Sequence, residues 1–279
     1  MKVDKFRTVI IYIIIILLGL VCLLPLLNIV AISFSSSAAV EGNMVGLIPV
    51  GFSTAAYEKI LEDSQFWHSF LISVERVVLT LIINFVLIVL MAYPLSKTNA
   101  QFRGRNIYAN LMIFAMLFNG GMIPTFLLVK SYGLLNTVWA LVLPGAVPIF
   151  NVILVMNFFA AVPKELEEAA FIDGANPLQV LTKIFIPISK PVLATVSLFS
   201  IVGSWNDFYS GLIYMSKAAY YPLMTYIQSL QINVEDLIKQ GNLSAVVDSA
   251  SLGNTNLNAA KIVVAVIPLL LIYPLLQRY

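Results

Sequence analysis

Long stretches without charged side chains are the feature that most constrains what this chain can fold into. Residues 9–32 contain no Asp, Glu, Lys or Arg, and about 20 apolar residues suffice for a helix to cross the hydrocarbon core of a bilayer. Backbone groups in lipid have no water to bond, so such a segment must satisfy its own hydrogen bonds as a helix. We therefore predict an all-α membrane protein, a single domain over residues 1–279 with six transmembrane helices at about 9–32, 70–95, 107–129, 138–162, 192–215 and 257–276.

The composition agrees with this prediction and excludes several other classes of protein. Only 11% of the residues are charged, against about 25% in soluble domains. The net charge of +2 is too small to indicate nucleic acid as a partner. The single cysteine, Cys22, and the single histidine, His68, leave no disulfide framework and no metal cluster. Because the phosphate-binding pattern Gly-x-x-x-x-Gly-Lys-Ser/Thr does not occur, we expect no cofactor and no ATP hydrolysis in this chain.

The first apolar run follows basic residues, as it would in a secretory signal peptide. Lys2, Lys5 and Arg7 precede it, and Ser-Ala-Ala at 37–39 could serve as a cleavage site. The apolar core of a signal peptide spans only about 7–15 residues, however. We therefore predict that residues 9–32 form a retained first span.

The distribution of Lys and Arg predicts the orientation in the membrane. With a cytoplasmic N-terminus, the inner segments hold ten of these residues and the outer segments hold five, while Arg76 lies within a span. Basic residues are enriched in cytoplasmic loops. We expect both termini, and the charged interval 163–191, to be cytoplasmic.

Some residues within the predicted spans are unusual for a lipid environment. Glu75 and Arg76 favour a structural pair near the outer headgroups or a contact between helices. Asn-Gly-Gly at 119–121 interrupts the third span, which exposes backbone groups that protein or a water-filled path must cover. Lys261 lies early in the short sixth span, where we expect its side chain to reach the headgroups.

The interval 163–191 has the pattern of two short helices joined at a glycine. Pro163 suits the first turn of a helix, because its missing N–H would be unpaired there. Gly174 ends that helix as a left-handed residue. Asn176 and Pro177 then begin a second helix as N-cap and first-turn residue. We expect Leu178, Leu181, Ile184 and Phe185 to form one apolar stripe on it.

This interval also resembles a known motif. Glu168-Ala169-Ala170, Gly174 and the run Ile-Phe-Ile-Pro at 184–187 resemble the EAA loop of ABC importer permeases, with Ile186 where leucine is usual. The stretches 102–106, 120–130, 139–151 and 203–215 resemble carbohydrate-importer permeases, specifically the oligosaccharide-type subgroup (YtcP/LplC-like) related to the maltose permease. The resemblance extends from about Pro25 to the C-terminus. Family members commonly continue past the last span with a basic tail, whereas this sequence stops at Tyr279.

The resemblance implies a type I ABC importer permease fold, in which the EAA loop couples the spans to an ATPase. We call residues 163–191 the coupling loop. The expected partners are a second permease, usually a different chain, two cytoplasmic ATPases that bind ATP and magnesium, and an external substrate-binding protein, all at a bacterial cell membrane. The expected coupling residues are Glu167, Glu168, Ala169, Ala170, Asp173, Gly174, Ala175, Ile184 and Pro187. Asp173 could instead bond the Gly174 corner.

Polar residues in the spans are candidates for the substrate path. Sugars are bound by aromatic faces together with amides and carboxylates, and such groups are costly in a membrane unless they are used. The candidates are Asn84, Asn119, Asn151, Trp205, Asn206 and Asp207. Hydrogen bonds to neighbouring helices would explain the same residues.

Two other functions remain open from the residues alone. An ion-coupled secondary transporter would need ionisable groups near the middle of the membrane, and Asp207 is the one plausible candidate. A channel or passive membrane scaffold would have no use for a helix–glycine–helix loop on the inner side.

Overall fold

The computed structural model describes residues 5–118, 120–230 and 255–278, and every regular element within these ranges is helical. The helices before the coupling loop are α1 (Lys5–Ser33), α2 (Ser37–Glu41), α3 (Ala55–Glu62), α4 (Ser64–Leu95), α5 (Arg105–Leu117), α6 (Met122–Ser131), α7 (Val138–Val142) and α8 (Ile149–Ala160). Those that follow are α9 (Lys164–Ile172), α10 (Pro177–Val180), α11 (Ile186–Ile188), α12 (Lys190–Asn206), α13 (Tyr209–Tyr214) and α14 (Thr255–Gln277). A π-helical turn, Leu181–Phe185, joins α10 to α11.

Three helices are long and apolar enough to cross a membrane unbroken. They are Thr8–Ser33 of α1, the whole of α4 and Thr255–Pro274 of α14. Three further pairs of helices would reach the same length if each bent pair is one span, so the described residues provide between three and six spans. The pair formed by α7 with its 3₁₀ turn and α8 is bent by 47°. Between α5 and α6 the chain is non-helical at Phe118 and Gly121, the region where the sequence predicts a break.

The described residues separate into two compact units. The first takes its residues from 1–67 and 227–268. In it, Asp63 accepts a hydrogen bond from the backbone N–H of Phe66 at 3.0 Å and so begins α4 several residues before the predicted start. Lys261 is buried and forms an ion pair with Asp63 at 2.7 Å. The expectation that Lys261 reaches the headgroups is therefore wrong, because a carboxylate inside the unit neutralises it.

The second unit takes its residues from 68–226 and 269–279 and contains both candidate sites. Its apolar core joins α4, α5, α8, the second half of the coupling loop and α12. Phe185 lies at the centre, edge-on to Tyr93 of α4 and to Phe159 of α8, with ring centroids 5.1 and 5.4 Å apart. The buried residues Val180, Leu181 and Phe185, which we call the base of the coupling loop, are thus part of the core.

Candidate functional site

The first half of the coupling loop ends in a glycine corner. α9 begins at Lys164, one residue after the Pro163 predicted for its first turn, and Gly174 has φ +82°. The N–H of Gly174 donates to the carbonyl of Phe171 at 3.1 Å, and that of Ala175 donates to Ala170 at 2.9 Å. These two bonds form a Schellman motif, which satisfies carbonyls that a helix end otherwise leaves free.

The second half begins as the sequence predicts and then departs from a regular α-helix. Asn176 and Gln179 form a reciprocal capping box with two bonds of 2.9 Å. Further on, the N–H of Ile186 donates to the carbonyl of Leu181, which makes the turn π-helical. Pro187 follows, and its ring nitrogen cannot donate to Lys183 as an α-helix would require. The predicted single apolar stripe is therefore split, since Leu181 and Phe185 are buried while Leu178 is 63% exposed.

Glu167 differs from the other expected coupling residues because it is buried against this chain. Its carboxylate pairs with the Lys97 ammonium at 2.7 Å and accepts a bond from the Tyr93 hydroxyl at 3.3 Å. The Lys97 nitrogen also lies 4.1 Å from the ring centroid of Tyr93 and 4.2 Å from that of Phe185. Burial lowers the pKa of Lys97, and the carboxylate of Glu167 partly offsets that effect.

The outer surface of the coupling loop presents three carboxylates, those of Glu165, Glu168 and Asp173, and several apolar side chains. Glu168 and Ala169 are exposed. Phe171, Ile172 and Leu178, which we call the tip patch, are 43%, 86% and 63% exposed. An exposed apolar patch of this kind is typical of a contact with another protein or with a membrane. Among the described residues the Asp173 carboxylate has no hydrogen-bond partner, so it does not bond the corner and is free to meet another protein.

The other expected coupling residues line the same loop with intermediate or full exposure. Ala170, Ala175 and Ile184 are half-buried, whereas Gly174 and Pro187 are exposed.

A polar cavity of about 220 Å³ lies among α4, α7, α8 and α12. Asn84, Asn151 and Asp207, three of the six substrate-path candidates, line it. The amide nitrogen of Asn84 donates to the Ser200 hydroxyl at 3.1 Å. The cavity therefore offers amides, hydroxyls, one guanidinium and one carboxylate within a small volume.

Arg76 is the charged residue that the sequence analysis did not assign to this cavity. Its guanidinium forms an ion pair with the Asp207 carboxylate at 2.5 Å and donates to the Asp207 carbonyl at 3.0 Å. The contact between helices proposed for Arg76 is present, but its partner is Asp207, and Glu75 is exposed. A signal existed in the sequence, since Arg76 and Asp207 are opposite charges in two different spans.

Three buried polar atoms on residues that line this cavity have no hydrogen-bond partner among the described residues. They are Nε of Arg76, Oγ1 of Thr80 and Oδ1 of Asn84. Nearly all buried polar atoms in proteins are paired. These atoms are almost wholly inaccessible, so a ligand or water reaches them only if the surrounding side chains move.

The remaining candidates do not line the cavity. Trp205 is buried and packs edge-on against Phe70, with centroids 5.7 Å apart. Asn206 is exposed at the end of α12. Asn119 lies outside the described residues. The described residues contain no group of three or more His, Cys, Asp or Glu side chains that could hold a metal ion.

The helical fold, the corner loop and the polar cavity define a membrane transport component, and comparison with known proteins identifies its class. Residues 2–279 match the family described as "Binding-protein-dependent transport system inner membrane component", and the chain belongs to it. It is therefore a permease of the ABC importer type and a membrane protein, which confirms the predicted fold class. The family also implies, in general terms, that the chain works with a partner permease, an ATPase and a substrate-binding protein.

Individual relatives narrow the class further. The chain is 40% identical to Protein LplC of Bacillus subtilis (strain 168) over 261 residues, covering 94% of this chain and 87% of that protein. It is also 39% identical over 276 residues to the polygalacturonan/rhamnogalacturonan transport system permease protein YtcP of the same organism. This match covers 99% of this chain and 95% of that protein. A crystal structure of a bacterial ABC transporter involved in the import of the acidic polysaccharide alginate contains a chain with TM-score 0.85 and 32% identity, covering 100% of this chain and 98% of that one.

Proposed function

We propose that this chain forms half of the translocation path for an oligosaccharide, and that a separate ATPase drives it through the coupling loop. The observation that carries the proposal is the two-sided construction of this loop. Its base is embedded in the core through Phe185, while Glu168 and the tip patch face outward. Movement of a partner bound to the outer surface of the loop would therefore be transmitted directly to the packed helices.

The ATP and magnesium needed for this work belong to the partner ATPases. In our proposal two such ATPases sit on the cytoplasmic side, where both termini of this chain also lie, and an external substrate-binding protein delivers the sugar. A second permease, a different chain, completes the path. Lipid, or a partner in the membrane, would cover α1, since none of its most apolar segment is buried within this chain.

The sugar would meet the polar cavity. Asn84, Asn151 and Asp207 supply amide and carboxylate groups there. In this proposal Trp205 has a packing role beside the cavity, through its contact with Phe70. Asn206 remains a candidate for sugar binding at the exposed end of α12. YtcP is named for the transport of polygalacturonan and rhamnogalacturonan, and the alginate transporter is involved in the import of an acidic polysaccharide, so an oligogalacturonide is the first cargo to test.

Capture of the cognate ATPase tests the coupling part of the proposal. An aspartate at Ile172 places a charge in the tip patch, so Ile172→Asp should abolish copurification of the ATPase while the permease still inserts. Tyr132→Asp makes the same kind of change at an exposed residue of the predicted outer side, and it should leave capture intact. Equal capture by both variants would remove the coupling loop from the interface.

Uptake into proteoliposomes tests the transport part. With the complete complex, uptake of an oligogalacturonide should require ATP hydrolysis. Uptake that continues with a hydrolysis-defective ATPase and follows an imposed proton or sodium gradient would instead establish a secondary transporter.

A further inference from the structure

Lys97 touches three separate elements that the function requires to move together. It follows the end of α4, pairs with Glu167 on α9, and lies over the ring of Phe185 in the π-helical turn. Both halves of the coupling loop therefore meet at one ammonium group. Tyr93 of α4 closes the cluster by donating to Glu167 and packing edge-on against Phe185.

The pair is buried enough to hold its geometry. The side chains of Lys97 and Glu167 are only 12% and 11% exposed. An exposed pair contributes little and exchanges freely with water, whereas removing one partner of a buried pair leaves a charge that nothing else neutralises. Separating α9 from the end of α4 would therefore be strongly opposed.

The same helix reaches the polar cavity. α4 is continuous from Ser64 to Leu95, and it carries Arg76, Thr80 and Asn84 in the cavity wall. Asn84 lies about 17 Å along the axis from the end of α4 at 1.5 Å per residue. A displacement at its cytoplasmic end is thus carried through a single rigid element to the groups proposed to meet the sugar.

We propose that the Lys97–Glu167 pair is the joint through which the coupling loop moves α4 and thereby the polar cavity. This inference rests on the proposed function, since it presumes an ATPase acting on the loop. Glu167 is then a positioning residue that acts within this chain, while Glu168, its exposed neighbour, faces the ATPase. The π-helical turn fits this role, because such turns are frequent at functional sites and here it carries Phe185 beneath the pair.

Coupling, rather than uptake alone, is the quantity to measure. In proteoliposomes containing the complete complex, Lys97→Met and Glu167→Gln should still hydrolyse ATP but consume more of it per sugar transported. The ratio of ATP hydrolysed to sugar transported should therefore rise above the wild-type value in both variants. The exchanged pair Lys97→Glu with Glu167→Lys should recover part of the loss.

The ion pair between Asp63 and Lys261 provides a matched control. It has the same length, 2.7 Å, and is also largely buried, but it belongs to the first unit. Asp63→Asn should lower the amount of folded protein without changing the ratio of ATP to sugar. A rise in this control equal to that in Glu167→Gln would mean that the ratio reports general destabilisation, which would overturn the proposal.

If the single variants do not assemble into the complex, a cross-link between positions 97 and 167 tests the proposed joint instead. Cys22 is the only cysteine, so a chain with Cys22→Ser, Lys97→Cys and Glu167→Cys can be joined specifically by a short bifunctional thiol reagent. If the pair is a joint that stays closed through the cycle, the linked protein should transport sugar with the wild-type ratio. Transport that stops on linking, and returns when a cleavable linker is cut, would show that the two elements must separate and would overturn the proposal.

The outcomes of these experiments also distinguish failure of the proposed joint from failure of the proposed function on which it rests. If wild-type uptake does not depend on ATP, the proposed function fails. If wild-type uptake depends on ATP and both single variants retain the wild-type ratio, only the joint fails.

Discussion

Arg76 is a buried cation whose neutralising partner, Asp207, lies 131 positions later in the chain. The exposed fraction of the arginine is only 4%, against 28% for the aspartate side chain. Pairing of this kind rarely adds much net stability, but removing one partner leaves the other charge uncompensated, at a cost of about 3–5 kcal/mol. At this position the ion pair holds α4 against the end of α12 and shapes one wall of the polar cavity.

Asp207→Asn should therefore lower the stability of the permease by about 3–5 kcal/mol, because Arg76 stays charged and buried. Unfolding of the purified protein in detergent measures the loss. The double variant Arg76→Met with Asp207→Asn should recover most of it, since neither charge then remains in the interior. Glu75→Gln is the control, as it removes an exposed charge next to Arg76. If Asp207→Asn is as stable as Glu75→Gln, the pair does not neutralise Arg76 in the way described.

The amides of the cavity give a second test on single residues. Asn84→Ala and Asn151→Ala should each raise the sugar concentration for half-maximal ATP-driven uptake by about twofold to tenfold, the equivalent of one hydrogen bond. Asn157→Ala is the matched control, because Asn157 is also on α8 but exposed and outside the cavity lining. Unchanged concentration dependence in both variants would mean that these amides bond neighbouring helices only.

Among the elements, the coupling loop is built around a corner whose geometry depends on one residue. Gly174 has φ +82°, and a Cβ placed there would meet no atom within 4 Å. A substitution therefore encounters no steric clash with the rest of the chain, and its cost is the left-handed backbone alone, about 1–2 kcal/mol for a residue with a side chain.

Gly174→Val should thus insert normally but fail to couple ATP hydrolysis to uptake, because a β-branched residue strongly disfavours this conformation. Gly174→Asn, which adopts a left-handed backbone more readily, should retain most of the coupling. Both variants are compared by membrane abundance and by the ratio of ATP hydrolysed to sugar transported. Normal coupling by Gly174→Val would exclude the corner from the mechanism.

The elements of this loop also mark the limit of what the sequence could predict. The Gly174 corner and the Asn176 cap follow from local backbone chemistry, so neighbouring residues were enough to predict them. Pro187 explains why a regular α-helix is interrupted but does not by itself specify a π-helical turn, and the role of Glu167 depends on Lys97, which is 70 positions away in the chain. Contacts of that kind require the tertiary arrangement. The pairing of Arg76 with Asp207, in place of Glu75, was missed for the same reason.

At the scale of the whole molecule, orientation in the membrane decides whether the parts can work as proposed. In the part of the chain that the structure describes, three unbroken helices and three bent pairs are available as spans. The excess of Lys and Arg in alternate loops predicts that the coupling loop faces the cytoplasm and that α3 faces outward. An ATPase can reach the tip patch only if this orientation is correct.

Labelling of single cysteines tests the orientation directly. In a chain with Cys22→Ser, Ile172→Cys lies in the tip patch and Lys59→Cys lies on α3, and both positions are exposed. A membrane-impermeant thiol reagent should label Lys59→Cys in spheroplasts and Ile172→Cys only in inverted vesicles, because the membrane separates the two sites. Permeabilised membranes, in which both cysteines should react, control for reactivity. The opposite pattern would place the coupling loop outside, where no ATPase could act on it, and the coupling mechanism would have to be abandoned even though the family assignment would stand.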